Sequence, residues 1–172
     1  VARDASGNAT TNTTSFTVSD TTPPVIGWSF TNLVWSTAGD SCQTNLIDVT
    51  GTNYIVAYDN CSGTNLVITQ SPTNGAVLLE GTNEVIIAVA DQAGNTNYST
   101  NTIVVVDTTA PQISCPGDLT TTNDVGQCGA VVSYVIGASD NCGVVSTNQV
   151  AGLASGSLFP VGVTTNTFVV AD

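Results

Sequence analysis

Apolar residues in this chain come in short runs rich in Val and Ile, and the runs end at Gly, Asn, Asp or Pro. Ile55-Val56-Ala57, Val85-Ile86-Ile87-Ala88-Val89 and Ile103-Val104-Val105-Val106 are examples, and no window follows a 3.6-residue period. Runs of this kind, spaced about 8–12 residues apart, predict short strands and no helix. The pattern places strands near 24–29, 44–50, 53–58, 64–70, 76–80, 84–90 and 98–106, then near 111–115, 118–122, 128–136, 144–151 and 163–171. About seven antiparallel strands in roughly 85 residues predict an all-β, Ig-like sandwich of two sheets. Asp91-Gln92-Ala93-Gly94-Asn95 reads as the turn of the last hairpin, with Gly94 supplying a positive φ.

The pattern also repeats. Asp4-Ala5-Ser6-Gly7-Asn8 and Asp20-Thr21-Thr22-Pro23-Pro24 return 87 residues later as Asp91–Asn95 and Asp107-Thr108-Thr109-Ala110-Pro111. Asp59-Asn60-Cys61 returns 81 residues later as Asp140-Asn141-Cys142, and the same step carries Asp91 to Asp172. Self-similarity at this length means tandem domains. Residues 1–20 read as the terminal strands of a preceding or neighbouring repeat. Residues 21–107 form one complete repeat, and 108–172 a repeat without its last strand. A following repeat or a neighbouring subunit would complete the third copy, the latter by strand donation. Both arrangements give a head-to-tail assembly of the protein with itself. An unpaired edge would invite aggregation, so an incomplete sandwich is the least attractive reading. Proline in the two joints holds the backbone extended and stiffens it. The chain has neither initiator Met nor leader, so it reads as a processed product or a window of something longer.

Composition removes whole classes of function. One Arg, no Lys and no His face 13 acidic residues, for a net charge of −12. Nucleic acid needs clustered cations, and anionic membrane surfaces need the same. No apolar run reaches the roughly 20 residues of a membrane span, so membrane insertion is not expected. Without His or Lys there is no imidazole base, no Ser-His pair and no Schiff-base amine. An enzyme is not expected.

Five cysteines in such a chain indicate an oxidising, extracellular setting. Cys42 and Cys61 fall in one repeat, and Cys128 and Cys142 hold the matching phases in the next. Equivalence makes Cys42–Cys61 and Cys128–Cys142 the natural disulfides, each closing a loop of about 15–20 residues worth roughly 3 kcal/mol. Buried thiol pairs are the alternative. No two cysteines have the spacing of a zinc knuckle. Cys115 is left over, with Trp28 as its counterpart one repeat earlier, and is either a plain buried, unpaired thiol or a disulfide to a neighbouring subunit or another repeat.

At these residues the chain resembles the hyalin repeat (HYR) domains, Ig-like sandwiches found in tandem in secreted and cell-surface proteins. The resemblance rests on Asp107–Pro116, Gly126–Tyr134, Ser139–Cys142, Gly156–Gly162 and Asp4–Asn8, and it is weaker in the central copy. The family pattern carries a last-strand cysteine that would partner Cys115; here that strand reads Asn12–Val18 and has none. What the resemblance implies is adhesion or structural spacing, with no catalytic residues.

Acidic side chains at the joints raise calcium as the one candidate cofactor. Asp20 and Asp107 sit at the linkers, Asp59 and Asp140 beside cysteines, Asp4 and Asp91 at turns. Calcium wants six to eight oxygens, and no Asp-x-Asp-x-Asp run supplies them locally. Asx turns account for the same residues without metal. Trp28, Trp35 and Tyr54 are expected to pack in the core or between domains, a sugar platform being the alternative. Sequons stand at Asn8, Asn12, Asn60 and Asn97, and Glu80 with Glu84 makes no glycosidase pair. The expected function is a non-enzymatic extracellular structural protein, the repeat of a filament, stalk or surface appendage. The alternative is an adhesin, or an accessory module that binds surface glycans or proteins.

Overall fold

The computed structural model describes residues 1–39, 41–143 and 146–172, and among them there is no helix. The chain runs through β1 (Ala2–Arg3), β2 (Ala9–Thr10), β3 (Val25–Ser29), β4 (Asn32–Ser36), β5 (Gln43–Asn45) and β6 (Ile55–Tyr58). It continues through β7 (Val67–Ser71), β8 (Val77–Leu79), β9 (Gly81–Ala90) and β10 (Thr96–Val106). Beyond the second joint lie β11 (Gln112–Ser114), β12 (Gly129–Val132), β13 (Gly137–Ser139), β14 (Ser146–Ala151), β15 (Ser157–Pro160) and β16 (Thr167–Ala171). The fold is all-β and Ig-like, as the periodicity indicated.

Residues 1–30, 49–71 and 86–99 make one compact unit. In it β1 and β2 form a small hairpin around the Asp4–Asn8 turn, with Arg3 opposite Ala9. β3 pairs antiparallel with β6, and the register slips at Gly27, between Ile26 and Trp28. β7 pairs antiparallel with the end of β9, Val67 opposite Ala90 and Ser71 opposite Ile86. Strict alternation along β9 puts Ile87 and Val89 inward, where Phe30, Val49 and Ile55 join them in full burial. Tyr54 meets Phe30 edge-on, with ring centroids 6.1 Å apart.

Residues 31–48, 72–85 and 100–172 make the second unit. β4 runs parallel to the end of β10, Leu33 opposite Ile103 and Trp35 opposite Val105, and β5 pairs antiparallel with β8. Leu46, Leu78, Val85, Ile103 and Val105 form its dense core. After residue 107 the pairs are β11–β13, β12–β15 and β14–β16, all antiparallel. Packing is looser here: among the described residues past 107, Ala130 is the one buried hydrophobic side chain. A cavity of about 810 Å³ opens beside Tyr134, Phe159 and Phe168, with Cys115 on its wall. Tyr134 holds the two Phe rings edge-on at 6.4 and 5.9 Å, and its hydroxyl donates to the Leu153 carbonyl at 2.6 Å.

Several strands differ from expectation. β4 occupies residues assigned to no strand, and 118–122 forms none: Leu119 is a lone apolar residue among polar neighbours and stays exposed. The expected 44–50 and 128–136 strands shorten to β5 and β12, and β13 and β15 are additional. The start of the expected 144–151 strand, residues 144–145, lies outside the described residues. The turn at 91–95 forms as anticipated, with Gly94 at φ 94° and its N–H bonded to the Asp91 carbonyl.

Candidate functional site

The joint aspartates owe their positions to turn chemistry. Asp20 follows the first terminal segment, Asp59 follows β6 and Asp91 follows β9. Each spends Oδ1 on nearby backbone N–H groups, the Asx turn that makes Asp a favoured turn residue. Asp20 Oδ1 accepts from Thr22 N at 3.0 Å, and Asp59 Oδ1 from Cys61 and Ser62 N at 2.9 and 2.7 Å. Asp91 Oδ1 accepts from Ala93 and Asn95 N at 2.9 and 2.8 Å, and its Oδ2 from Asn95 Nδ2 at 2.7 Å. These turns bring the three side chains together: one oxygen from each lies within 4.8 Å of the others. Asp59 is 5 % exposed and Asp91 4 %. Asn95 Nδ2 also donates to the Asp20 carbonyl, and Asn97 Nδ2 to that of Pro24, fastening the linker to the hairpin.

The second unit holds the same arrangement one repeat later. Asp107, Asp140 and Asp172 also have one oxygen each within 4.8 Å of the others. Asp140 Oδ1 accepts from Cys142 N at 2.8 Å, and Asp107 Oδ1 from Thr109 N at 2.9 Å. Asp107 Oδ1 further accepts from Thr37 Oγ1 and Asn141 Nδ2, each at 3.3 Å, so residues on both sides of the second joint meet at it. Oδ2 of Asp20, Asp59, Asp107 and Asp140 is buried and has no hydrogen-bond partner among the described residues.

Local charge shows in the titrating groups. Burial pushes the Asp91 carboxyl up, yet hydrogen bonds from the Asn95 side chain and from the backbone of Asn95, Ala93 and Gly94 hold it below the usual carboxylate range. Asp107 is held low too, chiefly by the Thr109 N–H. The surroundings of the Cys61 sulfur, and then the negative charges of Asp20, Asp59 and Asp91, push that thiol up, although the residue as a whole is exposed. Such a thiol is a poor nucleophile.

Five of the six candidates named from sequence, Asp20, Asp59, Asp91, Asp107 and Asp140, thus fall into two groups, and the second is completed by Asp172, which had not been named. The 81-residue step that carries Asp91 to Asp172 was the available signal. Asp4 makes the same turn as Asp91, with Oδ1 accepting from Ser6 and Asn8 N, but remains exposed.

The cysteines pair otherwise than expected. The disulfide joins Cys42 to Cys142, and Cys61, Cys115 and Cys128 are free and exposed, so Cys115 is not the buried thiol expected. Equivalence of phase had grouped Cys42 with Cys128 and Cys61 with Cys142. It did not reveal that the loop before β5 in one repeat meets the Asp-Asn-Cys turn of the next, so the bond ties consecutive repeats. Cys42, Glu80 and Cys142 stand together, but the bond consumes both sulfurs as metal ligands.

Trp28 is not in the core, the first of the two places expected for it. The slip at Gly27 turns it outward, 50 % exposed, beside Val56 and on the face that carries Val25 and Tyr58. Trp35 and Tyr54 are half-buried.

Tandem all-β repeats with carboxylates gathered at their joints define a class of modular architecture. Residues 19–105 and 106–172 each match the HYR domain, and the chain belongs to that family. It is 31 % identical to Hyalin of Strongylocentrotus purpuratus over 99 % of its length and 14 % of that protein. Hyalin of Lytechinus variegatus is also 31 % identical, over 99 % of this chain and 32 % of its own. The "Serine-rich adhesin for platelets" of Staphylococcus aureus (strain MRSA252) is 34 % identical over 78 % of this chain and 9 % of its own. The chain therefore spans well under half the length of these relatives. Among solved structures, extracellular cadherin domains 1–4 of Protocadherin Gamma B7 overlay 87 % of the chain at a TM-score of 0.43 and 11 % identity.

Proposed function

We propose that the chain is a non-enzymatic structural segment of an extracellular tandem array, each repeat closed by its neighbour. The observation that carries this reading is the fate of one segment, expected as a strand. Phe16 and Val18 stand one 87-residue step before Ile103 and Val105. In the central repeat Ile103 and Val105 are 0 % and 1 % exposed, whereas Phe16 and Val18 are 88 % and 96 % exposed. The segment forms no strand here, and core-type alternation left in solvent marks a segment made to be covered. The Cys42–Cys142 bond supports the same reading, since a covalent tie between repeats suits a load-bearing string. Similarity to Hyalin and to an adhesin agrees with an extracellular, adhesion-related role. Negative-stain electron microscopy of purified protein should show extended, repeating rods; uniformly compact monomers under native conditions would refute the proposal.

The exposed face of β3 and β6 favours a second reading, in which the module binds a ligand. Val25, Trp28, Val56 and Tyr58 are between 46 % and 54 % exposed and share one side of that pair. Aromatic rings presented this way suit the apolar face of a sugar. On a glycan array, the parent should give hits that Trp28→Ala loses. A blank array removes this reading and leaves the structural one intact.

A further inference from the structure

We propose that Asp20, Asp59 and Asp91 form a calcium site, repeated at the next joint as Asp107, Asp140 and Asp172. The site goes beyond the structural reading and stands or falls separately from it. Its warrant is a buried, unanswered charge. Asp59 is 95 % buried, its Oδ1 is committed to two N–H groups, and its Oδ2 is buried with no donor beside the Asp20 and Asp91 carboxylates. A buried carboxylate oxygen without a partner is costly, and three within 4.8 Å repel one another in a medium that screens poorly. The protein has almost nothing of its own to answer them. Arg3 is the only basic side chain in 172 residues. A bound divalent cation removes both penalties at once.

The donor set selects the cation. All the donors are oxygens, which suits a hard ion, and no His is present to favour a softer one. The ligands come from three separate loops rather than one preformed cage. Calcium tolerates such irregular sets and fills its remaining places with backbone carbonyls and water, whereas magnesium demands near-ideal octahedral geometry. Recurrence is independent support. Four aspartates in two repeats make the same Asx turn with Oδ1 and leave the same Oδ2 buried and bare: Asp20 and Asp59, Asp107 and Asp140. Turn-making needs only one oxygen. The buried orientation of the second is what a turn alone leaves unexplained. At the second joint the Asn141 amide oxygen is also buried without a donor and adds a neutral ligand. Binding would clamp the linker residue, Asp20 or Asp107, onto two loops of the repeat that follows it, so the ion orders the joint.

Calorimetric titration of the whole chain with CaCl2 tests this. The expected result is two binding events with dissociation constants of about 10⁻⁴–10⁻³ M, the range of extracellular calcium modules. The weaker one belongs to the site containing exposed Asp172. Thermal melting should rise in CaCl2 relative to EDTA, and NaCl at matched ionic strength should not reproduce the rise. Asp59→Asn keeps the Oδ1 acceptor its turn needs and removes the charge. It should melt higher than the parent in EDTA, because repulsion is relieved, and lose at least about tenfold in calcium affinity at one of the two sites. Asp4→Asn changes a matching turn outside either cluster and should bind as the parent does. Absence of binding heat with identical melting in CaCl2 and EDTA overturns the proposal. So does unchanged calcium binding by Asp59→Asn, or a response to MgCl2 or ZnCl2 without one to CaCl2.

Discussion

Serine at Cys42 or Cys142 should lower the unfolding free energy by about 4–5 kcal/mol, the largest single effect expected anywhere in this chain. The bond joins residues 100 apart, and loop-closure entropy in the unfolded chain grows with that separation. A loss of that size compares with the whole stability of many small domains. Dithiothreitol should weaken the parent to the level of Cys42→Ser and leave the variant where it is. Cys115→Ser, at an exposed free thiol, should move the urea midpoint little. A peptide map without reduction supplies the direct readout. Recovery of Cys42 linked to Cys61 would mean that cross-links stay within repeats, and the stability loss would then fall toward roughly 3 kcal/mol.

Truncation of Ile103 to alanine should cost about 2–5 kcal/mol. Ile103 is 0 % exposed, sits in β10 opposite Leu33, and shares its interior with Leu46, Leu78 and Val85. Removing its branched side chain loses both transfer free energy and contacts that neighbours held in a sheet cannot restore by collapsing. Val34→Ala is the matched control. Val34 lies one register position away, opposite Val104, but is 63 % exposed. Its truncation should stay within about 0.5 kcal/mol. Equal losses at the two positions in urea denaturation would contradict the inward-facing assignment of β10.

Periodicity made most of this architecture legible. The alternation Val85, Ile87, Val89 and Ile103, Val105 marks strands that are half-buried, and the structure buries those residues. The Asp-Gln-Ala-Gly-Asn turn was readable because only glycine holds a φ near 94° at little cost. Position 28 was not readable. One extra residue at Gly27 reverses the side on which Trp28 emerges, and a bulge leaves no mark in hydropathy. The disulfide eluded sequence for a related reason. Phase within a repeat says which loops are alike, while pairing depends on which unlike loops face each other across a joint. The acidic groups were half legible. Recurrence flagged Asp20, Asp59, Asp91, Asp107 and Asp140, but only three-dimensional placement set Asp4 apart and added Asp172.

The bond between Cys42 and Cys142 also decides how this segment would answer a pull. Tension entering near the first residues passes at Cys42 straight through sulfur to Cys142, bypassing the residues between. That shortcut withholds about 330–360 Å of contour from extension, at the span of a stretched backbone. Stretched by its ends, the oxidised segment therefore yields only its flanks, residues 1–41 and 143–172, and then becomes inextensible. A reducing milieu would release the hidden slack, and a stiff tether would become a shock absorber.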